Sequence, residues 1–350
     1  MSETTSRAVI SDEDKAPGHD RDKPARRKAL VIGIDHYGTL RPLHGCVNDA
    51  LAVQRVLACD GDDASTPNFD VTLLTAPGAD APLTRRAVKD AVRQLFSRAH
   101  EIALFYFAGH GHVEPTGGFL CSSECTRGDD GLALVEVLIM AINSPAREKI
   151  IILDSCHSGV AGTLLPGALA AIPDGLTILT ASTEDQYAKE KNGSGVFTAL
   201  LVDALSGAAA NHTGDITPGS VYAHIDQSLG RGQQRPVFKT NVSRFVSLRQ
   251  VTPPISRDDM LQLPTLFPRA GHVFALDPSF EPRDEGRTAD MPRANKANTE
   301  RFAILQRYNR VNLVVPVGAP HMWNAAMESK ACRLTALGEH YRRLVSAGLL

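Results

Sequence analysis

Short apolar runs alternate with stretches of helical spacing along the first two thirds of the chain. Lys28 to Asp35, Phe69 to Thr75, Ile102 to Phe107, Ile150 to Asp154 and Leu176 to Ala181 are each of strand length. Most end on a glycine-rich or polar turn, the signature of buried parallel strands. Between them, Ala50 to Ala58 reads as a helix. Thr84 reads as the N-cap of another, with Val88, Ala91, Val92, Leu95 and Phe96 on one face. Leu132 to Ile142, Val196 to Leu205 and Thr217-Pro218 to Leu229 continue the alternation, the last with proline in its first turn. Arg244 to Leu248 is the expected last strand. Strand–helix alternation predicts an α/β fold with a mostly parallel sheet covered on both faces.

The pattern changes at Pro253. Residues 251–301 are punctuated by prolines and then crowded with charge, so they read as an exposed linker. Beyond them, Phe302 to Tyr308 reads as helix, Leu313 to Val317 with Met322 to Met327 as a hairpin, and Leu334 to Leu344 as an amphipathic helix. Helix, hairpin and helix resemble part of a winged-helix module, so 302–350 is expected to be a small α+β unit. Residues 1–27 are polar and lack the apolar core of a signal peptide, and they read as a disordered leader. Residues 28–250 remain as the main domain.

Composition narrows the class further. Hydrophobic content of 43% supports a packed core, and a net charge of −2 gives no whole-chain case for nucleic acid. No apolar run approaches the length of a membrane span. Six cysteines are too few for a disulfide framework in a chain of 350 residues and point to reduced thiols in a cytoplasm.

Candidate chemistry gathers at two strand ends. Ile150-Ile-Ile-Leu-Asp-Ser-Cys-His-Ser-Gly159 places Cys156 in a polar turn, a poor setting for an inert apolar thiol. Ile102-Ala-Leu-Phe-Tyr-Phe-Ala-Gly-His-Gly-His112 places His110 between glycines directly after a strand. A cysteine nucleophile with a histidine base is the chemistry this pairing offers. Spacing alone leaves His112 and His157 open as the base.

Tyr106-Phe-Ala-Gly-His-Gly111 and Asp154-Ser-Cys-His-Ser-Gly159 together resemble the paired motifs of caspase-like cysteine peptidases, most of all metacaspases and their bacterial relatives. Their separation also fits the family spacing of roughly 50 residues. The resemblance runs from about Lys28 to Leu248 and implies a three-layer caspase-like sandwich. It implies a dyad of His110 and Cys156, with the backbone N–H groups of Gly111 and Cys156 as the oxyanion hole.

Metacaspases cut after arginine or lysine, using an acid two residues before the cysteine and another in a Gly-Cys-x-x-Asp loop. Asp154 and Gly45-Cys46-Val-Asn-Asp49 match both, so Asp49, Asp154 and Cys46 are expected to line the first substrate pocket. Two carboxylates suit the planar fork of arginine better than lysine. The bland reading of Asp49 is an acid at a helix start.

Ala108 departs from the family, which has a small hydroxyl residue there. Asp129 and Asp130 could belong to a calcium cluster, but no acid just after Gly159 completes it, so no cofactor or metal is expected. Cys121 and Cys125 beside His112 lack a fourth zinc ligand. The resemblance further implies protein substrates, a zymogen with an upstream activating peptidase, service in bacterial stress or antiviral (antiphage) defence, and a monomer. Arg127, Lys189, Lys191, Arg231, Arg235 and the stretch from Arg283 to Arg293 are the basic candidates for maturation cleavage. The competing readings are an idle caspase-fold adaptor and a DNA-binding regulator acting through the basic tail.

Overall fold

The computed structural model describes residues 27–61, 66–115, 117–155, 173–181, 190–191, 194–229, 235–243 and 245–350. Residues 1–26 of the expected leader, and Cys156, His157, Lys189 and Arg231, lie outside the described residues.

The strands are β1 (Arg27–Ile34), β2 (Asp70–Ala76), β3 (Ile102–Ala108), β4 (Gly111–Glu114), β5 (Gly117–Leu120), β6 (Glu148–Asp154), β7 (Leu176–Thr180) and β8 (Val237–Asn241). Six of them form one sheet in the order β8-β7-β6-β3-β1-β2. All its neighbours are parallel except β8, which runs antiparallel to β7 at the edge. The outer strand is thus Val237–Asn241 and not the expected Arg244 to Leu248. Residues 245–248 form no strand, and the chain pairs again only at Arg249–Gln250, against Asp215–Ile216. Val237–Asn241 alternates apolar and polar positions weakly, which hid it from a search for buried runs.

Alternate residues of each central strand serve opposite faces, as a period of two requires. Leu30, Ile32, Phe105, Phe107 and Ile151 pack with helices α2 (Arg85–Phe96) and α3 (Leu134–Ile142). Val31, Leu104, Tyr106, Ile150 and Ile152 pack with α1 (Cys46–Ala58), α4 (Val196–Asp203) and α5 (Pro218–Ser228). The result is a three-layer α/β sandwich. Its helix starts obey local chemistry: the Thr84 side chain accepts from Ala87 N–H, and Thr217 and Ser220 form a reciprocal capping box.

The stretch expected to be a linker is structured. It holds α6 (Arg257–Leu261), α7 (Leu263–Leu266), β9 (Val273–Ala275) and a 3-10 turn at Pro278–Phe280. Its Ile255, Met260, Leu263, Phe267, Leu276 and Phe280 share one core with Phe302, Leu305 and Tyr308 of α8 (Lys296–Arg310). Pro264 and Pro278 sit in the first turns of short helices, where a missing N–H costs nothing, instead of keeping the chain open. Arg287, one of the basic cleavage candidates, donates to the carbonyls of Glu281 and Pro292.

The expected hairpin also differs. Strand β10 (Val314–Val317) pairs antiparallel with β11 (Ala331–Leu334), and α9 (Met322–Met327) lies between them in sequence. With β9 on the other side of β11, the unit is a three-stranded antiparallel sheet carrying α10 (Ala336–Ser346) after it. A helix inserted between the two strands removes the simple hairpin of a winged helix.

Candidate active site

The register of β3 against β6 builds the site. Ala108 sits opposite Asp154, so the two motif-bearing strands end side by side. The Gly109 N–H donates to the Asp154 carbonyl at 3.3 Å and ties the tips together. Cys156, the expected nucleophile, follows Ser155 two positions beyond Asp154 and lies outside the described residues.

At the β3 tip, His110 is held by groups distant in sequence. Its backbone N–H donates to the Tyr37 hydroxyl at 2.8 Å, and the Tyr37 ring lies against the imidazole with centroids 4.7 Å apart. Burial first of all raises the Tyr37 pKa well above its usual value, so the hydroxyl stays neutral. Gly109 makes this contact possible, since a Cβ there would stand 2.7 Å from the Tyr37 oxygen.

His110 Nε2 lies 2.7 Å from the Arg41 carbonyl oxygen. A carbonyl can only accept, so Nε2 carries the proton of the neutral ring and Nδ1 keeps its lone pair. The ring is therefore set to take a proton at Nδ1. Gly111 opens β4 opposite Leu120, and His112, one step further, pairs opposite Phe119 with its Nε2 3.6 Å from the Glu114 carboxylate.

The β6 tip is acidic. Asp154 is 6% exposed and Asp49, in the first turn of α1, is 2% exposed. Both reach Gly195, which precedes α4. The Gly195 N–H donates to Asp49 Oδ2 at 2.9 Å. A Cβ on Gly195 would stand 2.6 Å from Asp154 Oδ2 and 3.1 Å from Asp49 Oδ2. The two carboxylates therefore converge on one small space that only glycine leaves open. Cys46, 8% exposed, begins the same helix, and its N–H donates to Asp35 Oδ1 at 2.8 Å. Asp35, directly after β1, thus orients the helix that carries Asp49.

Asp154 has a further partner. The Thr198 hydroxyl donates to Asp154 Oδ2 at 2.6 Å, and the Tyr106 hydroxyl lies 2.6 Å from Thr198 Oγ1. Tyr106 is fully buried, and its pKa is raised well above the ordinary phenol by burial first and then by the negative charges of Asp154 and Asp49.

The structure brings together His110, Asp154, Asp49 and Cys46 from the sequence-derived set. Tyr37, Asp35, Tyr106, Thr198 and Gly195 are site residues that sequence reasoning passed over. Tyr37 and Asp35 stand just past the end of β1, where a polar run after a buried strand is a usable signal. Tyr106 opens the histidine motif but reads there as a core residue, and Thr198 reads as an ordinary helix residue.

Asp130, Cys121 and Cys125 are committed elsewhere, whereas Asp129 Oδ1 is buried without a hydrogen-bond partner, 3.7 Å from Arg127 Nε. The Asp130 carboxylate accepts from Thr126 N–H and Oγ1 and from Gly128 N–H. Burial opposes its charge, but these donors win and hold it well below the usual carboxylate range. Cys121 and Cys125 are buried; the Cys121 thiol donates to the Gly128 carbonyl at 3.9 Å, and Cys125 Sγ accepts from the Ser122 N–H at 3.2 Å.

Residues 26–246 match the sequence family described as Caspase domain, which is well over half of the chain. The chain belongs to that family. The family is one of cysteine peptidases. Similar proteins include Metacaspase-1 of Plasmodium falciparum, 33% identical over 38% of this chain and 24% of its own length. Metacaspase-4 of Arabidopsis thaliana is 32% identical over 38% of this chain and 34% of its length. Metacaspase-1 of Schizosaccharomyces pombe is 33% identical over 25% of this chain and 20% of its length. The matches thus span between a fifth and a third of the length of these relatives. Among the described residues, no helix is long and apolar enough to cross a membrane.

Proposed function

We propose that this caspase-domain protein is a cysteine endopeptidase that cuts protein substrates after basic residues, arginine before lysine. The observation that carries the reading is the convergence of Asp49 and Asp154 on Gly195 at the strand tip leading to Cys156. Two buried carboxylates repel each other, and a guanidinium between them relieves that repulsion through paired charge-assisted bonds. A neutral side chain leaves both acids unpaired and is rejected.

In the reaction, the Cys156 thiol gives its proton to His110 Nδ1, and the thiolate attacks the carbonyl carbon of the basic residue. The carbonyl oxygen takes the negative charge beside the N–H groups of Gly111 and Cys156. Collapse breaks the C–N bond, and the His110 imidazolium returns its proton to the leaving amine. Water, deprotonated by His110, then hydrolyses the thioester and regenerates the thiol. The hydrogen bond from Nε2 to the Arg41 carbonyl supports this direction of transfer, because it leaves Nδ1 as the basic nitrogen.

The competence of the dyad is independent of calcium in this reading, since Asp130 spends its oxygens closing its own loop. A monomer, cytoplasmic residence and release from a zymogen in stress or antiphage defence complete the proposal. The test uses peptides with arginine, lysine or aspartate at the cut position, wild type against Cys156→Ala, with calcium and with a chelator. Cleavage in the order arginine, lysine, aspartate by wild type alone is expected. Cleavage after aspartate sinks the pocket. No cleavage of any peptide, even after limited nicking, leaves an idle adaptor.

A further inference from the structure

The hydroxyls of Tyr106 and Thr198 do more than the fold requires. We propose that they are positioning residues for arginine recognition, a directed relay that holds the Asp154 carboxylate in place. The inference rests on the reading of Asp154 as a pocket residue.

Direction follows from proton counting. A carboxylate has no proton to give, so the Thr198 hydroxyl spends its single proton on Asp154 Oδ2. Thr198 Oγ1 is then an acceptor towards Tyr106, which must donate across the 2.6 Å contact. Tyr106 is suited to this because burial and the neighbouring acids keep its proton on. The relay therefore points one way, from Tyr106 through Thr198 to Asp154.

Placement supports the same conclusion. A threonine inside a helix usually turns its hydroxyl back to a carbonyl of the preceding turn. Thr198 is the third residue of α4, 1% exposed, and reaches across to another element instead. Tyr106 stands in a strand whose other residues are all apolar, and a buried phenol there costs stability unless its hydroxyl is bonded. Phenylalanine would pack as well without that demand. Among the described residues, the groups near Asp154 include Tyr106 from β3, Asp49 from α1 and the Thr198 hydroxyl from α4. Thr198 is a donor that fixes the position of Asp154 Oδ2 beside Asp49.

The experiment compares wild type, Thr198→Val, Thr198→Ser and Tyr106→Phe, each as the full chain. Paired peptides carry arginine or its neutral isostere citrulline at the cut position, and kcat and KM are followed from acid to neutral pH. Binding of an arginine peptide is also measured on each variant combined with Cys156→Ala. Thr198→Val should lower kcat/KM for arginine by roughly 10- to 100-fold, mostly through KM, as expected for loss of a bond to a charged group. It should lower the far weaker citrulline turnover much less than the arginine turnover. Thr198→Ser should restore wild-type behaviour, and Tyr106→Phe should fall between. Losses of the same factor for both peptides mean a purely structural role and overturn the inference. Unchanged arginine binding in the Cys156→Ala background overturns it as well, and does so without turnover. If wild type prefers arginine and the variants match it, only the relay fails. If wild type shows no arginine preference, the pocket reading and the relay fall together.

Discussion

The two strand tips of this site are anchored in opposite ways. At the end of β3, His110 is fixed by a backbone carbonyl from Arg41 and by a tyrosine hydroxyl packed on its ring. At the end of β6, Asp154 accepts from the Thr198 hydroxyl of α4, with Gly195 and Asp49 gathered beside it. In the proposed mechanism the first arrangement, by selecting a tautomer, would serve the proton transfer. The second, by bringing two carboxylates together, would serve selection of the side chain to be cut. Reaction and selectivity would then depend on different neighbours, although Ala108 and Asp154 are paired residues of adjacent strands.

That separation can be broken by mutation. The largest effect is expected for His110→Ala, which removes the base and should lower kcat by about 10²- to 10⁴-fold with little change in the ratio of arginine to lysine cleavage. Single-turnover kinetics on both peptides read this directly. Next is Asp154→Asn, which leaves a guanidinium half-paired and should cost arginine peptides roughly 100-fold in kcat/KM. A loss confined to kcat would place Asp154 with the chemistry and break the comparison.

Gly195→Ala is a steric version of the same test. Its Cβ would crowd Asp154 Oδ2 and Asp49 Oδ2, so the pocket closes while the His110 tip is untouched. KM for arginine peptides should rise by about 10-fold, with active-site alkylation of Cys156 by a small reagent kept at the wild-type rate. Alkylation that slows in step with turnover would show that the tips are coupled. The smallest effect is Tyr37→Phe, which deletes one hydroxyl beside His110 N–H and should reduce kcat about fivefold with selectivity preserved. A shift in the arginine-to-lysine ratio here would blur the division from the other side.

Much of this was legible before any coordinates. The apolar runs ending at Ala108 and Asp154, the glycines around His110 and the caps at Thr84 and Thr217 are local signals, since strand burial and helix starts depend on a few consecutive residues. The motifs also named Asp49 and Asp154 as partners, by resemblance. The error at 251–301 came from the same locality. Proline and charge do mark breaks in helices, but Phe267, Leu276 and Phe280 are buried only because α8 brings Phe302 and Leu305 to them. The pairing of β10 with β11 across α9 is likewise a long-range choice that no window of sequence contains.

By itself, then, the order of residues determined the alternating strands and helices and placed the candidate residues His110 and Cys156 just beyond two strand ends, because each is written in short-range pattern. Only the tertiary structure decided that Gly195 would sit between two acids, that Arg41 would choose the tautomer of His110, and that Tyr106 and Thr198 would point at Asp154. Those contacts join β3, β6, α1 and α4, and their geometry is a property of strand register and helix packing, which no single segment carries.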